Sequence, residues 1–226
     1  MFITMEGIEG SGKTTQIANI TRYLETSGYA CMVTREPGGT KIGEKIRRIL
    51  LDQEHHMLDA MAELLLYTAD RAQHVSEKIK PALDEGKVVV CDRFFDSTIA
   101  YQGAARGIDA ETIKALNRLV LRDISPDITF LLDLSPEIGL LRAWREINNG
   151  SREAGQSRFE REKTLFHEKV RQGYLALAET EPERIVRIDA ALSPDAVKGA
   201  IVGELKRFLC ARGGEIPPIP PFSKGG

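Results

Sequence analysis

The sequence predicts an α/β fold, a P-loop three-layer sandwich in which a five-stranded parallel sheet carries helices on both faces. Five short apolar runs alternate with amphipathic stretches along the 226 residues. Alternating strands and helices form parallel sheets that are covered on both sides. The first apolar run also leads directly into a glycine-rich loop and then a helix, which is the order of a phosphate-binding loop.

The predicted strands are short and rich in β-branched residues. The run K-V-V-V-C-D at 87–92 shows no alternation of apolar and polar residues, as expected of a parallel strand buried on both faces. The five predicted strands cover residues 1–5, 30–34, 87–92, 128–133 and 184–189.

Helical spacing of apolar residues predicts the connecting elements. Ile17, Ile20 and Leu24 fall on one face of the first helix. Ser193 as N-cap and Pro194 at the first helical position begin the last helix, and a bend is expected before Pro81. The predicted helices cover residues 14–24, 41–52, 57–85, 97–106, 110–121, 136–144, 158–181 and 193–210.

Length and composition predict one domain, residues 1–212, followed by a Pro/Gly-rich tail, residues 213–226, that we expect to be extended or disordered. A formal net charge of -2 with 28% charged residues gives no sign of a nucleic-acid partner. Three well-separated cysteines predict a reducing compartment without structural zinc, with Cys31 and Cys91 in the core.

The sequence also predicts a cytoplasmic protein without a membrane partner. Its apolar runs are shorter than the roughly 18 residues of a membrane span. Because the glycine loop begins at Gly7, we expect no secretory signal peptide.

Residues 7–15 read G-I-E-G-S-G-K-T-T and fit the Walker A pattern. Its glycines let backbone N–H groups approach phosphate oxygens, and the following helix N-terminus adds partial positive charge. Lys13 is expected to reach the β- and γ-phosphates, and the Thr14 hydroxyl to hold Mg²⁺. The residues predicted to bind the nucleotide, ATP, are Gly7, Ile8, Glu9, Gly10, Ser11, Gly12, Lys13 and Thr14.

The third predicted strand ends in Asp92-Arg93 beside the P-loop. A carboxylate at this place can hold Mg²⁺, directly or through water. An ATP-hydrolysing motor would carry a second acid after it, whereas arginine is suited to clamp a phosphate. The pair therefore favours transfer to a phosphate-bearing acceptor over hydrolysis, with a structural surface pair as the alternative.

Three further segments suggest parts of an acceptor site. The polar, arginine-bearing stretch at 146–156 predicts a mobile lid, about 142–158, that covers the γ-phosphate; a solvated basic loop is the alternative. The loop T-R-E-P-G-G-T at 34–40 follows the second strand, and its Pro37 is a candidate for a cis peptide bond. In L-L-L-Y-T-A-D-R, Tyr67 and Arg71 share a helix face and could stack on a base and bind its edge; a core tyrosine with a surface arginine is the alternative.

These motifs, together with D-R-F-F-D-S-T-I-A-Y-Q-G at 92–103 and S-R-F-E at 157–160, resemble bacterial thymidylate kinases in order and spacing over residues 1–212. The resemblance implies an enzyme that transfers the γ-phosphoryl group of ATP, with Mg²⁺, to dTMP, and that forms a homodimer through the segment at 57–85. The close alternative is another nucleoside monophosphate kinase. A regulatory P-loop switch is less favoured, because the N-K-x-D motif of GTPase switches is missing from the sequence.

The resemblance also implies roles for individual residues. Glu9 would contact the sugar or phosphate of the acceptor, Tyr67 would stack on thymine, Arg71 would bind the base edge, Arg93 would clamp the acceptor phosphate, and Tyr101 would block a ribose 2′-hydroxyl. The implied acceptor-binding residues are Glu36, Pro37, Arg47, Tyr67, Arg71, Arg93, Ser97, Thr98, Tyr101 and Gln102.

The sequence departs from the family pattern at two places. Gly10 stands where some members hold a catalytic arginine, so we expect the lid to supply one, and Arg152 is predicted to do so. Arg142 and Arg158 are expected on flanking helices, holding the lid or ATP. Ser157 stands where the family often has aspartate. The predicted catalytic residues are Lys13, Arg93, Arg152 and Glu9; Asp92 and Thr14 are the predicted metal ligands, and Arg142 completes the ATP site.

Overall fold

The computed structural model describes residues 1–121, 123–150 and 154–212. In this part of the chain five strands form one parallel sheet in the order β2-β3-β1-β4-β5. The predicted five-stranded parallel sheet is confirmed, and each strand lies within one residue of its predicted bounds. The strands are β1 (Phe2–Glu6), β2 (Cys31–Arg35), β3 (Val88–Asp92), β4 (Ile128–Asp133) and β5 (Ile185–Asp189).

Helices connect successive strands and cover both faces of the sheet. Two of the helical stretches include a π-helical segment, Val75–Ile79 between α3 and α4, and Ile99–Ala105 after α5. The α-helices are α1 (Lys13–Thr26), α2 (Lys41–Leu51), α3 (Ala60–His74), α4 (Lys80–Asp84), α5 (Phe95–Thr98), α6 (Ala110–Leu121), α7 (Pro136–Asn148), α8 (Thr164–Thr180) and α9 (Pro194–Ala211).

The core consists of two apolar layers, one on each face of the sheet. Val90 packs with Ile20 of α1 and Ile201 of α9, whereas its neighbour Val89 packs with Ile79 in the second layer. Successive strand side chains point to opposite faces, so a run of consecutive valines serves both layers. The three-layer prediction is therefore confirmed.

Several helix bounds differ from the prediction. The helix expected at 158–181 begins only at Thr164, because the preceding residues form turns in which Arg158 N donates to Leu51 O and Glu162 N to Phe159 O. The helix expected at 97–106 begins at Phe95 and is mainly π-helical.

Other differences concern the segment at 57–85, the lid and one cysteine. The helix expected at 57–85 begins at Ala60 and is continuous through α3, the π-helical turn Val75–Ile79 and α4; this turn lies before Pro81, where the sequence predicts a bend. Helix α7 continues through Asn148, so the predicted lid begins as regular helix. Cys91 is buried as predicted, but Cys31 is only half-buried, on the edge strand β2.

The strand order places a binding crevice at the carboxyl edge of the sheet. Strand β1 pairs with β3 on one side and β4 on the other, so the connections leaving these strands diverge there, which is where ligands bind in open α/β sheets. The P-loop after β1 and Asp92 at the end of β3 meet at this edge. Among the described helices, none combines the length and the apolarity needed to cross a bilayer.

Candidate active site

A cavity of about 660 Å³ opens at this edge of the sheet. It joins the P-loop, the loop that follows β2, and one face each of α2 and α3 to the end of β3 and the helical segment after it. The predicted site residues that line it are Glu9, Gly10, Gly12, Lys13, Thr14, Glu36, Pro37, Arg47, Tyr67, Arg71, Asp92, Arg93, Ser97, Thr98, Tyr101 and Gln102.

The P-loop is closed around its own lysine. Lys13 Nζ lies 3.0 Å from Gly7 O and 2.9 Å from Ile8 O, and the side chain is buried. Burial, with Arg93 adding to it, lowers the pKa of Lys13 to about 8. Gly10 has a φ of 69°, and a Cβ built on it would lie 2.0 Å from Gly139 O in α7. The loop therefore packs backbone to backbone against the start of the predicted lid helix.

Asp92 and Thr14 fit a magnesium site. Within the described residues, the buried Oδ1 of Asp92 has no hydrogen-bond partner, as expected of a carboxylate that binds a cation directly or through water. Thr14 is exposed at the first turn of α1 and lines the same cavity. No group of three or more His, Cys, Asp or Glu residues in the described part of the chain could form a closed metal cage, and Mg²⁺ at a P-loop needs none.

Arg93 is held in place by several partners at once. Its Nη1 donates to Tyr174 Oη at 3.0 Å, and its Nη2 donates to Glu9 Oε1 at 3.1 Å. The guanidinium carbon lies 5.0 Å from the centre of the Tyr101 ring. Its backbone has a φ of 67°, a conformation that a non-glycine residue adopts at a cost. The guanidinium is therefore preorganised at the centre of the cavity.

Glu9 is the acid at the centre of this cluster. Its Oε1 accepts from Tyr101 Oη at 2.6 Å as well as from Arg93, and His167 Nδ1 lies 3.3 Å from its Oε2. Burial alone would raise the pKa of Glu9, but His167, Arg93 and Lys13 outweigh it and hold the pKa well below its usual range. The carboxylate is therefore ionised and points into the cavity.

Arg71 is buried on the opposite wall. Its Nε donates to Glu36 Oε2 and its Nη2 to Thr98 Oγ1, both at 2.9 Å. The peptide bond between Glu36 and Pro37 is cis, as the sequence suggested. His74 Nδ1 lies 2.9 Å from the other Glu36 oxygen. The sequence alternative of a surface arginine is therefore wrong, and the loop after β2 fixes the direction of Arg71.

The remaining acceptor-side residues differ in what they contact. Tyr67 is half-buried and lines the cavity, and burial raises its pKa. Arg47 Nη1 donates to Pro37 O at 3.0 Å. Ser97 Oγ lies 2.7 Å from Glu6 Oε2, and Gln102 Nε2 lies 2.8 Å from Glu63 Oε1. Ser97 and Gln102 thus line the cavity, but their side chains are hydrogen-bonded to buried acids of the protein.

Arg142 and Arg158, the two predicted lid arginines that the structure describes, are not brought together. Arg142 Nη1 donates to Ala190 O at 3.1 Å, and Arg142 does not line the cavity described above. Arg158, expected on a flanking helix, lies in the turn before α8, where its Nη2 forms a buried ion pair with Glu63 at 2.6 Å. Arg152 lies outside the described residues, as does the tail at 213–226, and both stay predictions.

Local sequence reasoning missed several buried groups that support the site. Glu6 accepts from Phe94 N at 2.7 Å and from Tyr174 Oη at 2.8 Å. Glu63 anchors Arg158, and His167 faces Glu9. Buried acids and histidines in otherwise apolar runs are the one sequence signal that could have indicated them, since such residues are rarely buried without a partner.

A parallel sheet with a P-loop at its switch point, and an arginine-lined cavity beside that loop, is the architecture of a P-loop nucleotide kinase. Residues 5–201 match the family model described as Thymidylate kinase. The thymidylate kinase of Desulfosudis oleivorans is 55% identical over 207 residues, covering 92% of this chain and 97% of that protein. The thymidylate kinase of Solidesulfovibrio magneticus is 52% identical, covering 92% and 100%.

A solved structure agrees. The crystal structure of thymidylate kinase from Ehrlichia chaffeensis superimposes with a TM-score of 0.71 at 37% identity, covering 91% of this chain and 98% of that one. The chain belongs to the thymidylate kinase family.

Proposed function

We propose that the protein transfers the γ-phosphoryl group of ATP to dTMP and forms dTDP, a step in dTTP synthesis. The observation that carries the proposal is the convergence of Glu9, Arg93 and Tyr101 beside the P-loop, in a chain that belongs to the thymidylate kinase family. An arginine and a carboxylate fixed next to a phosphate-binding loop suit a second, phosphate-bearing substrate. Cytoplasmic location is part of the proposal and fits the described helices, which contain no membrane span.

Each part of the cavity has a proposed role. Lys13 neutralises charge between the β- and γ-phosphates, Arg93 clamps the acceptor phosphate, and Glu9 contacts the acceptor near its sugar. Tyr67 stacks on the base, and Arg71 hydrogen-bonds its edge. Positioning of this kind supplies most of the rate in phosphoryl transfer, because the protein makes no covalent bond to the migrating group.

Magnesium is part of the proposal. Thr14 and Asp92 would hold it, and Asp92 Oδ1 has no other partner in the described chain. When bound, Mg²⁺ neutralises charge on the β- and γ-phosphates. Arg142 is proposed to bind ATP, and Arg152 is proposed to contact the γ-phosphate.

A coupled assay with ATP and each nucleoside monophosphate tests the substrate. We expect dTMP to be strongly preferred, and Lys13→Ala to abolish turnover while its circular dichroism spectrum stays that of the wild type. Preference for another monophosphate would favour the alternative kinase. Nucleotide binding without transfer to any monophosphate would favour the regulatory switch.

We further propose a two-fold symmetric homodimer. Helices α2 and α3 pack against each other and expose apolar side chains, including Ile42, Met61 and Leu65, which lie away from the cavity lining. Exposed large apolar side chains on two packed helices favour an interaction site. Light scattering should give twice the 25.1 kDa chain mass. Leu65→Lys should yield the monomer, whereas the same substitution at Leu165, a leucine on α8 that is 60% exposed against 50% for Leu65, should not.

A further inference from the structure

The side chain of His167 in α8 is fully buried against the P-loop acid. Its exposed fraction is 0%, and the Phe166 ring packs edge-on against it at 5.5 Å. Its two ring nitrogens face two oxygens: Nε2 lies 3.0 Å from Phe159 O, and Nδ1 lies 3.3 Å from Glu9 Oε2. His167 does not line the cavity, so it acts on substrate only through Glu9.

The two contacts determine the protonation of the ring. A carbonyl oxygen only accepts, so Nε2 must carry a proton. In the neutral ring Nδ1 would then present a lone pair to an ionised carboxylate, which is repulsive. In the described part of the chain neither Nδ1 nor Glu9 Oε2 has a hydrogen-bond partner, and the contact between them is an ion pair at 3.3 Å. Only the imidazolium form, with a proton on each nitrogen, suits both neighbours.

The charges around the ring agree with this assignment. Burial lowers the pKa of His167, but the Glu9 carboxylate, the Phe159 carbonyl and Glu160 outweigh burial and place the pKa above its ordinary value. Glu9 faces the ring from the P-loop and Glu160 from the turn before α8. On the far side of Glu9 lie Arg93 and Lys13, which also act on that carboxylate.

We propose that His167 is a positioning residue that carries a positive charge and fixes the second oxygen of Glu9, so that the carboxylate is preset for the acceptor nucleotide. Tyr101 and Arg93 hold Oε1, and His167 holds Oε2, so rotation of the carboxylate about its last torsion is blocked. The proposal rests on the proposed function for the identity of the acceptor, but not for the charge on the ring.

The pH dependence follows from the raised pKa. The imidazolium, and with it the fixed Glu9, is present below the folded-state pKa of His167 and is lost as the pH rises through it. The KM for dTMP should therefore rise as the pH increases through the raised pKa of His167, while the KM for ATP reports the separate titration of Lys13, whose pKa is about 8.

Two amide variants, each of which keeps one nitrogen position of the ring, separate positioning from packing. The amide nitrogen of His167→Asn occupies the place of Nδ1 and can still donate to Glu9, but it does not titrate. The amide nitrogen of His167→Gln occupies the place of Nε2 and donates to Phe159 O only. We expect His167→Gln to raise the KM for dTMP about tenfold or more with little change in the KM for ATP, since the buried ion pair with Glu9 is lost. His167→Asn should have a KM for dTMP close to that of the wild type, and this KM should not change with pH.

A structural role alone would make both variants lose activity together and keep the wild-type pH profile, and that result overturns the proposal. A second readout is independent of activity. The chain has 4 histidines, and nitrogen chemical shifts of the ligand-free wild-type protein should show the His167 ring with both nitrogens protonated at pH 7. The variant that best retains its fold assigns that resonance. A neutral His167 at pH 7 refutes the proposal even if dTMP is the substrate, and failure to phosphorylate dTMP refutes the proposed function whatever the ring charge.

Discussion

Adding a single methyl group at Gly10 should separate the P-loop from α7. A Cβ at this position would lie 2.0 Å from Gly139 O and 2.9 Å from Gly139 C, contacts that real Cβ atoms do not make. Gly10 also has a φ of 69°. Placing an L-residue in the left-handed region costs about 1–2 kcal/mol. Overlap with backbone that must shift adds about 1–3 kcal/mol. We expect Gly10→Ala to lower the free energy of unfolding by about 2–5 kcal/mol in total.

Gly12 provides the matched control. It lies in the same loop with a φ of 92°, but nothing lies within 4 Å of a Cβ built there. Gly12→Ala should therefore lose only the conformational part, about 1–2 kcal/mol. Gly86, with a φ of 77° and equally open surroundings, is a second control outside the site.

Urea unfolding followed by circular dichroism measures the difference. With a slope near 3 kcal/mol per molar urea, the midpoint of Gly10→Ala should lie about 0.3–1 M below that of Gly12→Ala. Equal midpoints for the two variants would refute the close contact between the P-loop and α7. An arginine at position 10 would meet the same obstacle, which agrees with the prediction that the lid supplies it.

Three further predictions concern the site and its supports. Tyr101→Phe removes the hydroxyl that donates to Glu9 and should raise the KM for dTMP about tenfold. Tyr101→Ala should in addition reduce the preference of the enzyme for dTMP over the same nucleotide with a ribose sugar. If the wild type uses both nucleotides equally well, Tyr101 does not exclude the 2′-hydroxyl. Arg158→Ala removes the shortest ion pair of the buried Glu63, which keeps Arg106 at 3.3 Å and Gln102 at 2.8 Å, and should cost about 1.5–3 kcal/mol of stability in urea; a normally stable variant with a large loss of kcat would contradict this structural role. Burial, reinforced by Asp96, raises the pKa of Glu6 from 4.5 to about 7, so its stabilising contribution is present below pH 4.5 and lost as the pH rises through about 7. Glu6→Gln should abolish the change of the urea midpoint with pH between these two values. An unchanged dependence on pH would show that another group titrates.

Much of the fold could be predicted because its signals are local. The apolar run at 128–133 coincides with β4, since a strand buried on both faces needs no partner to be recognised. The Ser193 cap is confirmed, because its hydroxyl accepts from Ala196 N three residues later. The bounds at 158–164 were wrong because long-range contacts override helical spacing there: Arg158 is drawn to Glu63, 95 positions away along the chain.

The P-loop and the cis-proline loop likewise depend on glycine and proline at fixed spacings, so the sequence by itself determined the sheet, the phosphate cradle and the family. Only the tertiary structure decided how the acidic groups are paired. It holds Glu9 among Tyr101, Arg93 and His167, turns Gln102 toward Glu63, and holds Arg158 in a buried pair instead of leaving it free to reach a phosphate. The physical reason is that a local pattern reports which residues share a strand or a helix face, whereas the partner of a buried charge is chosen by packing between segments far apart in the chain.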